Sequence, residues 1–384
     1  MGSHQQDAAT SQPLKKYILL NAFDMSTIGH LSPGQWKNPK DKSDTKRDLE
    51  YWIELAKLLE RGGINALFLA DTYGGYDTLW EGSWSDNATI KNAETDEYFD
   101  PNLIRTIDHR GKFFSLSSRH ICSPSPQRTP FLFQAGTSSA GSQFAATHAE
   151  AIFVSSHSPK VLAPKVANIR KLAASLGRDP QSIKFFATFT PIIGATEEEA
   201  QAKYEEAKKY ASTIGGLVLF SGWTGVDISK IPIDRDITAE DSLEAHKIRS
   251  ILDAFTTTSP DIPKWTPRVV AEKASIGGLG PVAVGTPAHV ADEMVKWITE
   301  ADLDGFNLAY VTTPGTFEDV VDLLIPELRQ RGLYPEAADQ TGSLYTDRLT
   351  AREKVYGKGQ KGLRDDHLGS AYNIERSHTQ WAEW

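Results

Sequence analysis

Residues 127–157 read QRTPFLFQAGTSSAGSQFAATHAEAIFVSSH. Phe131, Leu132 and Phe133 form a short apolar run after Pro130, as a buried strand requires. Gly136, Thr137, Ser138 and Ser139 follow at its C-terminal end. The pattern then predicts a helix from about Ala140 to His148, with Phe144, Ala145 and Ala149 on one face. Ala151 to Val154 is the next strand. Strand, turn, helix and strand within about thirty residues make one βαβ unit. A turn of Gly, Ser and Thr between a strand end and a helix start leaves N–H groups and hydroxyls free to hold an anion. The same residues suit a plain helix N-cap, and spacing alone does not separate the two.

The alternation extends in both directions. Upstream, Tyr17 to Phe23 (YILLNAF) reads as a strand and Thr45 to Arg61 as a helix. Leu49, Trp52, Ile53, Ala56 and Leu59 fall on one face of that helix at helical spacing. Gly62 and Gly63 stop it. Ile64 to Ala70 is the next strand, with Asp71 at its end. Short β–α–β connections favour a parallel sheet. Residues 72–129 break the pattern and read as a long irregular stretch, unusual in a compact domain.

Downstream, Ser158-Pro159 opens a helix reaching Leu176, with Leu162, Val166, Ile169 and Ala173 as its apolar stripe. Ile183 to Ile193 is a strand, and Thr196 to Thr213 a charged helix. Thr286-Pro287 starts a further helix by the proline-at-first-position rule, with Val290, Met294, Trp297, Ile298 and Ala301 inward. Gly305 to Val311 is a strand. A last helix carries Phe317 to Leu328 and bends at Pro326. This gives about six strands. A (β/α)8 barrel needs eight, a doubly wound sheet accepts six, and the pattern leaves both open. Residues 1–16 read as a disordered lead, and 334–384 as an extended polar tail.

Composition narrows the function. The chain has 384 residues, 40% hydrophobic and 24% charged, with a net charge of −9. That is ordinary globular composition. The absence of a long basic run argues against nucleic acid as a partner. The single cysteine, Cys122, rules out an internal disulfide framework or a Cys-based zinc cluster. No stretch is apolar enough to span a membrane, and the polar N-terminus lacks a signal-peptide core, so a cytoplasmic protein is expected. His109, His120, His148 and His157 share no metal-ligand spacing and read as surface or structural residues. Strand-end carboxylates could suit a barrel glycosidase, but Asp71 has no evident partner.

FLFQAGTSSAGSQFAATHAEAIFV resembles the signature of the flavin-dependent monooxygenases related to nitrilotriacetate and dibenzothiophene-sulfone monooxygenases, within the bacterial-luciferase-like superfamily. NALFLAD, LWEGSW, IDHRGKFF, PSPQRTP, GLVLFSGWTGVDIS, VGTPAHVADEM, DGFNLAY and VDLLIPELRQRGLYP resemble family segments in the same order, covering most of residues 17–335. The resemblance implies a (β/α)8 TIM barrel over 17–333 with an insertion at 215–285 before the last strand. It implies reduced FMN, delivered by a separate NAD(P)H-dependent flavin reductase, O2 as co-substrate, a small organic substrate, no metal and a homodimer. Carried over by position, Asp71, Gly136, Thr137 and Ser138 are the expected flavin-binding residues, and no catalytic residue is assignable. Deazaflavin-dependent oxidoreductases share the superfamily, but the motifs sit closer to the monooxygenase branch.

One departure from the family is large. Between the GGYD turn and LWEGSW the family carries its third and fourth strands, whereas here Asp77 runs straight into Thr78. On the order of 80 residues, about two strand–helix units, are missing. The expectation is therefore an incomplete barrel. The alternative to an active monooxygenase is a catalytically inactive truncated paralogue, or a mis-spliced product without a complete flavin site.

Overall fold

The computed structural model describes residues 17–24, 32, 34–46, 48–69, 85, 87–92, 97–113, 115–118, 127–156, 158–224, 227–237, 265–278, 280–336 and 349–372. Among them, the strands in chain order are β1 (Leu19–Asp24), β2 (Ala66–Leu69), β3 (Thr89–Asn92), β4 (Glu97–Phe99), β5 (Ile107–Arg110), β6 (Ser115–Ser118), β7 (Phe133–Ala135), β8 (Ala151–Val154), β9 (Lys184–Ile193), β10 (Val282–Gly285) and β11 (Gly305–Leu308). The helices are α1 (Leu49–Gly62), α2 (Ser139–His148), α3 (Pro159–Ser175), α4 (Glu197–Tyr210), α5 (Thr213–Thr224), α6 (Pro267–Ala274), α7 (Pro287–Ala301), α8 (315–330) and α9 (Ala351–Tyr356).

Six strands form a curled sheet in the order β2-β1-β11-β9-β8-β7, every neighbouring pair parallel. Helices alternate with these strands along the chain, so this is an incomplete parallel barrel, as the resemblance implied. The first and last barrel strands are joined, Leu19 lying opposite Gly305. Glycine is required at that seam, because a Cβ at Gly305 would collide with the carbonyl oxygen of Leu19. Among the described residues the two ends of the sheet are β2 and β7. The long β9 serves two partners: its first half lies between β8 and β11, and Thr190 to Ile193 pair with β10.

Alternation along each strand sends one set of side chains outward and the other into the curl. Leu20, Ala22, Phe185, Ala187, Phe189, Phe306 and Leu308 face the helices and join one buried cluster with them. The expected stripe of α3 is buried throughout, at Leu162, Val166, Ile169 and Ala173, as is that of α7. Burial of each such aliphatic side chain contributes about 1.5–3 kcal/mol. Inside the curl the rings of Phe23, Phe68, Phe133, Phe153 and Phe186 pack together. Phe68 of β2 lies 4.2 Å from Phe153 and 6.4 Å from Phe133, ring centre to ring centre, so aromatic contact spans the gap between the free edges.

Several expectations need correction. The inner face of α1 is Tyr51, Leu55 and Leu59, while Leu49 is 72% exposed and Ile53 also faces solvent. Tyr51 turns the helix this way because its hydroxyl finds buried partners in Asp24 and Thr313, at 2.7 Å each. Phe144 of α2 is exposed, not packed, and lies against His148. Residues 72–129 are not wholly irregular: β3–β4 and β5–β6 are antiparallel hairpins, too short to show a period. In α8 the irregularity precedes Pro326: Val320–Leu324 is a π-helical turn between two α-helical segments. Pro326 has no N–H to give, so the turn before it widens.

The C-terminal segment is not extended throughout. Thr350 and Glu353 form a capping box that starts α9. The guanidinium of Arg352, fully buried, donates to both oxygens of Glu150 at 2.8 Å each. It also donates to the carbonyl oxygens of Gln127, Thr129, Pro130 and Lys361. Glu150 stands immediately before β8 and accepts from the N–H of Leu132. One buried ion pair thus ties the segment to the start of β7 and β8.

Candidate functional site

In a barrel, function gathers at the C-terminal ends of the strands. Two such ends, those of β7 and β1, carry the candidate residues. After β7, Gly136 has φ 104°. No protein atom comes within 4 Å of a Cβ built there, so glycine is required for its backbone conformation. Ser138 is the N-cap of α2 and accepts from the N–H of Gly141 at 3.1 Å. Thr137 is half-buried and its hydroxyl makes no hydrogen bond among the described residues. The N–H groups of Ser139 and Ala140, at the first turn of α2, likewise have no partner there. The turn is therefore both a cap and a set of free donors pointing along a helix dipole, and the two readings left open by the spacing are compatible. Asp71, the fourth expected flavin-binding residue, lies outside the described residues.

Behind this turn stands the aromatic wall. Phe133 begins β7 and stacks on Phe153 at 5.0 Å. Beside the wall, Asn21 of β1 and Asn307 of β11 lie opposite each other in register. Both are at most 2% exposed. Asn21 Nδ2 and Asn307 Oδ1 have no hydrogen-bond partner among the described residues. Alternation with the outward-facing Leu20 and Leu308 turns these two amides toward the interior of the curl.

At the end of β1 is a buried polar network. Lys46 Nζ donates to Asp24 Oδ1 and to the Tyr310 hydroxyl, at 2.5 Å each. Tyr51 donates to Asp24 Oδ2, and the backbone N–H of Thr313 donates to Asp41 at 3.0 Å. Burial, reinforced by the charge of Asp24, pushes the phenols of Tyr51 and Tyr310 far above their ordinary range, so both remain protonated donors. Asp24 faces α1, so this network buttresses the mouth of the barrel from outside. The sequence reading missed Asp24, Lys46, Tyr310 and the two asparagines. The available signal was a carboxylate closing the apolar run YILLNAFD, the same signal that drew notice to Asp71.

Comparison with known proteins now decides the family. The profile of the luciferase-like monooxygenases matches residues 92–304. The chain belongs to the luciferase-like monooxygenase family. The dimethyl-sulfide monooxygenase of Hyphomicrobium sulfonivorans is 32% identical over 464 aligned positions, covering 94% of this chain and 94% of the relative. The long-chain alkane monooxygenase of Geobacillus thermodenitrificans is also 32% identical, with 94% and 98% covered. The crystal structure of DmoA from Hyphomicrobium sulfonivorans superposes with a TM-score of 0.80 at 31% identity, over 94% of this chain and 96% of that one. Dibenzothiophene-sulfone and nitrilotriacetate monooxygenases match as well, at 26% and 28% identity. A riboflavin lyase solved with a modified FMN superposes with a TM-score of 0.73 at 25% identity, covering 93% of this chain and all of that one.

The luciferase-like monooxygenase fold thus extends over nearly the whole chain. The alignment with the dimethyl-sulfide monooxygenase runs to 464 positions against 384 residues, at least 80 more than this chain has. The dimethyl-sulfide monooxygenase therefore carries residues that this chain lacks, and among the described residues β2 and β7 each have a strand neighbour on one side only. Among the described residues no helix is long and apolar enough to cross a membrane, and no cluster of His, Cys, Asp and Glu could hold a metal ion.

Proposed function

We propose that this protein is the oxygenase component of a two-component flavin-dependent monooxygenase. It takes reduced FMN from a separate NAD(P)H-dependent flavin reductase and inserts one atom of O2 into a small organic substrate. A cytoplasmic location suits such a reductase partner. The observation that carries the reading is the turn of Gly136, Thr137 and Ser138 at a barrel strand end, in a chain that aligns with monooxygenases over nearly its whole length.

The residues present fit a flavin on chemical grounds. FMN joins an anionic phosphate to a flat, mostly apolar ring system with a polar edge. The free N–H groups of Ser139 and Ala140, with the Thr137 hydroxyl, suit an oxyanion. The phenylalanine wall suits the ring. The unpaired amide atoms of Asn21 and Asn307 supply one donor and one acceptor beside that wall. Asp71, two residues after β2 in the sequence, is the further flavin-binding carboxylate that the family resemblance implies. When bound, reduced FMN supplies the O2-activating chemistry. The protein's contribution is to hold the ring, to exclude water with aromatic side chains and to place the substrate beside it.

The test is a reductase-coupled assay. With a flavin reductase, NADH and FMN, the protein should convert dimethyl sulfide or a long-chain alkane to an oxygenated product, and hydrogen peroxide formed per NADH should fall below that of the reductase alone. No oxygenated product and an unchanged yield of hydrogen peroxide per NADH, for every sulfide, alkane, sulfone and aminocarboxylate offered, would sink the proposal.

A further inference from the structure

We infer that a cavity at the N-terminus of α3 is a second binding site, separate from the flavin turn, for the oxyanion head of a small phosphate or carboxylate. The cavity measures about 510 Å³ and is walled by the first turn of α3, the end of α6, β10 and α7. Ser158 occupies the N-cap of α3, yet its hydroxyl does not cap the helix. That residue is only 5% exposed, its hydroxyl makes no hydrogen bond among the described residues, and it lines the cavity. Hydroxyls on residues so deeply placed are normally bonded, and the Ser158 oxygen, which is not sealed inside the protein, is available to a ligand that enters the cavity.

The backbone adds donors beside it. Pro159 has no N–H, and the first N–H of α3 to find an acceptor is that of Leu162, which donates to Ser158 O at 3.2 Å. The N–H groups of Lys160 and Val161 have no partner among the described residues. They open a helix of 17 residues, whose dipole favours negative charge at this end. The side chains of Lys160 and Lys273 line the same space.

The opposite wall limits what fits. Glu293 is held by Lys296 at 3.1 Å and by the indole N–H of Trp297 at 3.0 Å, so it is already neutralised. Glu272 and Glu300 remain on the wall and repel a polyanion. The combination of two free N–H groups, one hydroxyl and two ammonium groups facing two carboxylates suits one small oxyanion head. This site uses α3, α6 and α7, and shares no residue with the turn that opens α2.

Isothermal titration of the full-length chain with inorganic phosphate tests the assignment. We expect a saturable site that K160E and S158A each weaken by about tenfold or more, the scale of a lost charge-assisted hydrogen bond. K165E, on the same helix outside the cavity, should leave it unchanged. K273E offers an independent second wall if either variant fails to fold, as judged by circular dichroism. Displacement of phosphate by acetate extends the site to carboxylates, and failure of acetate to displace it assigns the site to phosphate. Phosphate binding of unchanged affinity in K160E, S158A and K273E would overturn the inference, as would no saturable binding by the folded unaltered chain.

Discussion

Thr137 and Ser138 are adjacent in sequence and do different things. Ser138 spends its oxygen on the Gly141 N–H, so S138A should cost about 1 kcal/mol of stability, read as a lower denaturation midpoint. Thr137 has no partner to lose among the described residues. T137V should leave the midpoint within a few tenths of a kcal/mol and weaken reduced FMN several-fold, the value of about one net hydrogen bond. Equal binding by T137V and the unaltered chain would remove Thr137 from the site. On the other side of the mouth, Y51F takes a buried donor from Asp24 and should cost about 1–3 kcal/mol, measured by urea unfolding. The turn was legible because small polar residues at a strand end are informative locally. The Asp24 network was not, because Lys46, Tyr51 and Tyr310 meet only once β1 pairs with β11.

Elements with a clear period were legible. The stripes of α3 and α7 were read residue for residue. α1 was placed correctly but turned wrongly, because a tyrosine with a buried acceptor outcompetes leucine for the inner face. The C-terminal segment reads as polar, yet its arginine is fully buried. No periodicity reveals a salt bridge between residues as far apart as Glu150 and Arg352. Removing one partner of a buried pair strands the other, so R352M should cost about 3–5 kcal/mol, and R352M/E150L should recover much of it. A double variant no better than R352M would refute that account. The same segment is sensitive to acid. His367 donates Nε2–H to the carbonyl oxygen of His148, and Nδ1 accepts from the N–H of Gly369, at 2.9 Å each, so the ring is held neutral. Burial lowers its pKa below the ordinary value of 6.5. The unfolded chain therefore takes up a proton first as pH falls. Stability from this group is complete well above pH 6.5 and declines below it. H367Q should flatten the pH dependence of the denaturation midpoint in that window.

At the scale of the molecule, six barrel strands are joined through the β1–β11 seam and end at β2 and β7. G305A should open the seam, since no room exists for a methyl group. Loss of the cooperative transition in G305A is the expected outcome, followed by circular dichroism on heating. Free edges are a liability in a parallel sheet, and here phenylalanine contacts between β2, β7 and β8 cover part of the gap. The six strands of the curl were legible in the sequence because each is an apolar run between turn residues, whereas the short β10 and the two hairpins were not. Their closure into a curl was not, since a doubly wound sheet shows the same runs.

The central claim is that these six strands still build a flavin site. Anaerobic titration of the purified 384-residue chain with reduced FMN, followed by calorimetry, tests it most directly. Saturable binding at micromolar concentration, weakened several-fold by T137V, is the predicted result. A folded protein that shows no binding would contradict the claim, and would mean that the missing segment had taken the flavin site with it.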